Sequence, residues 1–157
     1  MDRTIGVSSA DLAAVAQSLN RLLADEHVLY MKTRNAHWNI EGPDFHAQHK
    51  FLEEQYKKLE AIIDEVAERI RALGHYAVGT MQKILELSHL MEQSREKNDS
   101  RGFIRDLLAD HETIILHIRE NIDRYANEWH DQGSSDFITD LLKFHEKMAW
   151  MLRAHLK

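Results

Sequence analysis

Between a Gly42-Pro43 break and Gly74, the chain carries an apolar seam of unbroken helical phase. Phe45, His49, Leu52, Tyr56, Leu59, Ile63, Val66, Ile70 and Leu73 follow one another at alternating steps of four and three. Only an α-helix brings such positions onto one face, so the spacing predicts a long helix from Asp44 to about Gly74. A helix of that length must bury its stripe against other helices. One seam position, His49, is a histidine rather than an apolar residue.

Three more segments repeat the pattern. Ser8-x-x-Asp11 is a capping-box signal, followed by Leu12, Val15, Leu19, Leu22, Leu23, Leu29 and Tyr30, and predicts a helix ending near Asn35 to Trp38. A third helix is predicted after Asp99-Ser100, with Ile104, Leu107, Leu108, His111, Ile114, Ile115, Ile118, Ile122 and Tyr125 on its stripe. A fourth is predicted after Ser134-Ser135, with Ile138, Leu141, Leu142, His145, Met148, Met151 and Leu152. With six Gly and one Pro in 157 residues, little of the chain can be turn-rich β structure. The connections are short except the one from Gly74 to Ser100, where Thr80 to Leu90 reads as a short helix. A stretch that long can travel the length of a bundle and let helices two and three run parallel. The expected architecture is all-α, a ferritin-like four-helix bundle with a long crossover containing a short helix. We read residues 1–157 as a single domain with a short N-terminal tail, residues 1–7.

Several function classes lose their footing. A net charge of -6 is the wrong sign for a general nucleic-acid-binding surface. Without Cys there is no disulfide, thiol nucleophile or iron-sulfur cluster, and no stretch has the pattern of a signal peptide or membrane span. A cytoplasmic protein with no membrane partner is expected. His111-Glu112 and His145-Glu146 lack the second His of a zincin, and only Glu86-x-x-His89 matches the paired Glu-x-x-His of a within-chain di-iron bundle. No glycine cluster suits phosphate, and no G-x-S-x-G is present.

Eleven His raise the prior for metal binding, and spacing locates it. His49 with Glu53, and Asp64 with Glu68, are pairs four residues apart, and all four fall in one sector of the second helix, bordering the seam. Oxygen and nitrogen donors beside a dry interface suit iron and leave positions open for an oxidant. At 1.5 Å per residue, however, His49 and Asp64 lie roughly 22 Å apart, so one helix cannot close the shell. Two antiparallel copies of this helix, crossing near Tyr56 to Leu59, would set each pair opposite the other and create two identical sites. The spacing therefore predicts a homo-oligomer.

The run Lys32-Thr33-Arg34-Asn35-Ala36-His37-Trp38-Asn39-Ile40-Glu41-Gly42 with His49-x-x-x-Glu53 resembles the first signature of the Dps mini-ferritins. Ile63-Asp64-x-Val66-Ala67-Glu68-Arg69-x-x-x-Leu73-Gly74 resembles the second, and the likeness extends to the Trp150-Met151-Leu152-Arg153-Ala154 ending. The resemblance implies a hollow dodecamer with ferroxidase centres at its two-fold interfaces. These would oxidise Fe(II) with hydrogen peroxide or oxygen, preferring peroxide, store ferric mineral and limit oxidative damage. It further implies that His37, His49, Glu53, Asp64 and Glu68 bind the iron. By motif position, His37, Asp64 and Glu68 would come from one subunit and His49 with Glu53 from its partner. Two positions depart from the pattern: Glu53 stands where many relatives have Asp, and Gln48 where an aliphatic residue is usual.

Further expectations follow from that resemblance. Iron binding would weaken as imidazole protonates, below about pH 6.5. Trp38, beside His37, would relay stray oxidising equivalents, or, in the commoner role of Trp, plug an interface. Asp136 and Asp140, with Glu128 and Asp131 nearby, would line an iron-entry pore or simply favour a helix N-terminus. His111 and His145 read as core or interface residues, with no carboxylate spaced to complete a shell. The alternative function is a DNA-coating nucleoid protein, but the tail Met1 to Val7 has one basic and one acidic residue, little for phosphates.

Overall fold

The computed structural model describes residues 5–92 and 95–157; residues 1–4 of the predicted tail lie outside the described residues. Five α-helices follow in order: α1 (Ser9–Asn39), α2 (Phe45–Ala72), α3 (Met81–Leu87), α4 (Ser100–Asp123) and α5 (Gln132–Ala154). No strand is present among the described residues. The four long helices are those the periodicity predicts, and α3 is the short crossover helix.

Polar side chains start most of these helices. Ser8 Oγ accepts from Asp11 N at 3.1 Å, Thr80 Oγ1 from Lys83 N at 3.3 Å, Asp99 Oδ1 from Gly102 N at 2.8 Å and Asp131 Oδ1 from Ser134 N at 2.9 Å. Each cap satisfies an amide that the first helical turn leaves unpaired. Asp131 also explains why α5 begins earlier than expected. Capped there, the helix takes Ser134 and Ser135 into its buried first turn, and their hydroxyls bond Asp131 Oδ2 at 2.5 Å and the Ile122 carbonyl at 2.9 Å. Before it, α4 loosens into a π-helical turn, Arg124–Glu128. His130 follows with a φ of 53°, turning the chain back.

Two contacts set the helix directions. Glu41 N, just past α1, donates to Asn98 O at 2.8 Å, so the α1–α2 turn sits beside the start of α4. At the other end Arg69 of α2 bonds Ser134 Oγ and Asp131 Oδ1, at 3.0 and 3.3 Å, at the start of α5. Hence α2 and α4 run parallel, joined by the long crossover, while α1–α2 and α4–α5 are antiparallel hairpins.

The α2 seam divides into two rows. Leu52, Leu59, Val66 and Leu73, seven residues apart, are buried in the bundle with Ile70. Of the other row, to which Ile70 belongs, His49, Tyr56 and Ile63 are half-buried, and Phe45, which starts the first row, is exposed. This flank lies outside the core of the single chain. No helix among the described residues is long and apolar enough to cross a membrane.

Candidate metal centre

The last turn of α1 and the first turns of α2 fold back on each other across the Gly42 turn, where φ is 139°. This brings His37 and His49 face to face, rings stacked at 3.8 Å between centroids and 16° between planes. His37 Nδ1 donates to the His49 carbonyl and His49 Nδ1 to the His37 carbonyl, each at 2.8 Å. A carbonyl only accepts, so both Nδ1 atoms carry hydrogen and each neutral ring keeps its lone pair on Nε2. Tyr56 meets the His37 ring edge-on at 5.1 Å, and Phe45 stacks on His49 at 5.1 Å. The result is two imidazoles of fixed tautomer and orientation.

Glu53, one turn beyond His49, is half-buried and bonds Lys57 Nζ at 2.9 Å, with Lys50 at 3.8 Å. Lys57 holds the Glu53 carboxyl below the usual carboxylate range, with smaller contributions from Lys50 and His37. The influence of His37 reflects its place within the His49–Glu53 group.

That placement corrects the division suggested by motif position, in which His37 accompanied Asp64 and Glu68. Within one chain, His37 stands with His49 and Glu53, because the α1–α2 turn stacks the two rings. Asp64 and Glu68 lie further along the unbroken α2, the former roughly 22 Å from His49 by helical rise. Both are exposed. Two nearby cations are engaged elsewhere: Lys57 bonds Glu53, while Arg69 bonds Asp131 and Ser134. Among the described residues, no three His, Asp or Glu side chains gather to hold a metal ion within one chain. Each chain thus presents an imidazole-rich half at one end of α2 and a carboxylate half toward the other.

The remaining expected residues lie elsewhere. Trp38 is 56% exposed, with the Arg34 guanidinium 5.1 Å over its ring. Asp136 accepts from Gln132 Nε2 at 3.2 Å and Asp140 pairs with Lys143 at 3.0 Å, both at the surface of early α5. Glu128 pairs with Arg124, and Asp131 serves as the α5 cap.

Sequence reasoning missed one carboxylate. His111 and His145 are core residues, as expected, but Glu26 of α1 joins them. His145 Nε2 lies 2.7 Å from Glu26 Oε1, and the Nδ1 atoms of His145 and His111 are 2.9 Å apart. All three residues are completely buried. The second Glu26 oxygen and His111 Nε2 have no partner among the described residues. Burial, reinforced by His145, pushes the His111 imidazole well below its usual value. Glu26 falls in phase with Leu22 and Leu29, and that was the available signal.

The chain is similar to known proteins along nearly all its length. A family model described as a ferritin-like domain matches residues 16–157. A low temperature-induced protein of Nostoc is 40% identical over 98% of this chain and 86% of its own. DNA protection during starvation protein 2 of Bacillus anthracis is 35% identical, covering 90% of this chain and 96% of its own. Among solved structures, a Dps protein from Vibrio cholerae O1, described as one of the ferritin-like diiron-carboxylate proteins, superposes with a TM-score of 0.92. It is 34% identical, covering 99% of this chain and 96% of the other.

Proposed function

The chain belongs to the ferritin-like family, in its Dps mini-ferritin branch, and from that membership we propose that it binds, oxidises and stores iron at sites shared between two copies. The observation that carries this reading is the separation along α2. His37, His49 and Glu53 form one half, Asp64 and Glu68 stand exposed further along the helix, and among the described residues neither half gathers a full set of ligands alone.

Two α2 helices packed antiparallel through the half-buried Tyr56 and Ile63 flank would bring the halves together twice, by the two-fold symmetry of the contact. Fe(II) is the substrate. Asp64 and Glu68 would neutralise and bridge the ferrous ions, and His37 and His49 would supply their Nε2 lone pairs. Glu53 must exchange its Lys57 contact for metal. Peroxide accepts one electron from each of two Fe(II) ions and two protons from the medium, its O–O bond breaks, and two Fe(III) ions and two water molecules result. Pairwise removal of electrons avoids the one-electron reduction that releases hydroxyl radical. The ferric product would collect inside a hollow homo-oligomer, a dodecamer in the cytoplasm, with Asp136 and Asp140 lining the entry for Fe(II). Trp38, exposed beside the site, would cover the interface or intercept stray oxidising equivalents.

The test is anaerobic loading with Fe(II), then peroxide, comparing wild type with Asp64→Ala and His49→Ala. Both variants should lose rapid oxidation, and oligomers mixed from the two should recover part of it, since complementary intact halves meet at some interfaces. Verified mixed oligomers without recovery would count against shared sites. DNA coating is the second reading, favoured by the name of the Bacillus anthracis relative and opposed by the net charge of -6. A gel shift at low salt without magnesium separates them: no retardation retires DNA coating.

A further inference from the structure

A cavity of about 390 Å³ lies among α1, α4, the π turn and the crossover. The π turn shapes one of its walls. Trp129 N donates to the Arg124 carbonyl, five residues back, at 2.9 Å. In a regular α-helix, side chains five residues apart point about 140° away from each other. The wider turn brings these two together instead, with the Arg124 guanidinium 4.7 Å from the centre of the Trp129 ring, and both line the cavity. Single π turns of this kind are frequent at functional sites.

Charge in the lining is unevenly engaged. Asp25 of α1, only 1% exposed, accepts from Ser88 Oγ at 2.8 Å, His89 N at 2.6 Å and His89 Nδ1 at 2.9 Å, so its carboxylate is already surrounded by donors. The Glu120 side chain is 70% exposed, and its charge is largely screened by water. The two arginines of the lining have more to offer. Arg124 bonds Glu128 through Nε at 3.0 Å, and its terminal nitrogens have no hydrogen bond among the described residues. Arg21 has neither hydrogen bond nor ion pair among them. His89 and His117 stack at 3.8 Å between centroids and 22° between planes. Stacked in this way, their lone pairs run side by side and do not converge on a cation, but the rings form a flat wall.

We infer that this cavity binds a small, flat organic anion, an aromatic ring bearing a carboxylate, with Arg21 and Arg124 holding the charged end. A planar guanidinium matches a carboxylate in two parallel hydrogen bonds, and it does so best when nothing else occupies its fork. Trp129 and the imidazole pair give the ring aromatic surface to lie against, while Leu22, Ile118 and Ile138 supply the apolar part of the lining. The volume falls within the range of small-molecule sites, which combine such surfaces with a few polar anchors. The site is complete within one chain and does not depend on the proposed iron centre.

The experiment titrates the intact, iron-free protein with cinnamate by ligand-observed NMR, beside cinnamamide, its neutral analogue of the same shape, and cinnamylamine, a cation. An anion of this size should bind with a Kd on the order of 1 mM. The amide and the amine should bind at least tenfold more weakly. Arg21→Gln and Arg124→Gln should each weaken cinnamate about tenfold through the loss of a charge-assisted contact. Arg105→Gln, an equal change of charge on α4 outside the cavity lining, should leave it unaltered. A crystal soaked in cinnamate gives a readout even if one variant fails to assemble, with the ring expected beside Trp129. Absence of cinnamate binding, equal affinity for the amide, tighter binding of the amine, undiminished binding in both cavity variants, or an empty cavity in the soaked crystal overturns the assignment.

Discussion

His37 and His49 each donate Nδ1–H to the other's backbone carbonyl at 2.8 Å, so neither ring is oriented without the other. Replacing one should cost more than one donor. His37→Ala is expected to lower the rate of peroxide-driven Fe(II) oxidation at least tenfold and to loosen the His49 ring as well. Stopped-flow oxidation, with NMR of the remaining imidazole, checks both effects. A His49 ring still held in one orientation in the variant contradicts the mutual anchoring.

Lys57 occupies Glu53 in the single chain, at 2.9 Å. Lys57→Met should therefore free the carboxylate and tighten Fe(II) binding modestly, by about twofold, as expected for the removal of a solvent-facing ion pair. Anaerobic Fe(II) titration measures it. Weaker binding would mean that Lys57 supports the site rather than competing for it.

The buried Glu26–His145–His111 chain should be costly to break from the Glu26 end. Glu26→Ala leaves His145 Nε2 without its partner inside the core, and a loss of about 3 kcal/mol is expected. Glu26→Gln retains an oxygen acceptor and should lose less. Equilibrium denaturation of the three proteins orders them, and equal losses would assign the effect to volume alone.

Acid should act on the same cluster. The folded protein holds His111 neutral well below the usual imidazole value, whereas the unfolded chain takes up a proton near pH 6.5. Below that pH the unfolded state binds more protons, so stability falls on acidification, by up to about 1.4 kcal/mol per pH unit per chain. The loss continues down to the depressed folded value. Denaturation midpoints measured through this range should fall more gently for His111→Gln. An identical pH slope in wild type and variant would exclude His111 as its source.

Gln55 is 2% exposed, and neither of its amide atoms has a partner among the described residues. Gln55→Met keeps the volume and removes two desolvated polar atoms, so stability should rise by about 1 kcal/mol. Denaturant midpoints decide it. A decrease would mean that the amide is satisfied in the assembled protein.

The helices were legible because burial imposes a period that apolar residues reveal directly, and α2 is the clearest case. The start of α5 was less so, since Ser134 and Ser135 resemble caps while the carboxylate of Asp131 performs the capping. In the candidate centre, Glu53, Asp64 and Glu68 could be placed relative to His49 by helical arithmetic. The position of His37 could not, because it depends on how the Gly42 turn folds α1 back onto α2. Glu26 escaped notice for a related reason: its partner His145 lies 119 residues away, and no local spacing connects them.

The continuity of α2 ties the reach of the proposed centre to a residue count. Each residue of an α-helix advances 1.5 Å and turns 100°, so a single deletion between Glu53 and Asp64 would swing the second carboxylate pair more than a quarter turn around the axis. Every side chain proposed to bind iron would survive unchanged, yet the two faces would no longer meet. In this protein the length of a plain stretch of helix is as much a part of the proposed metal site as the groups that would touch the ion.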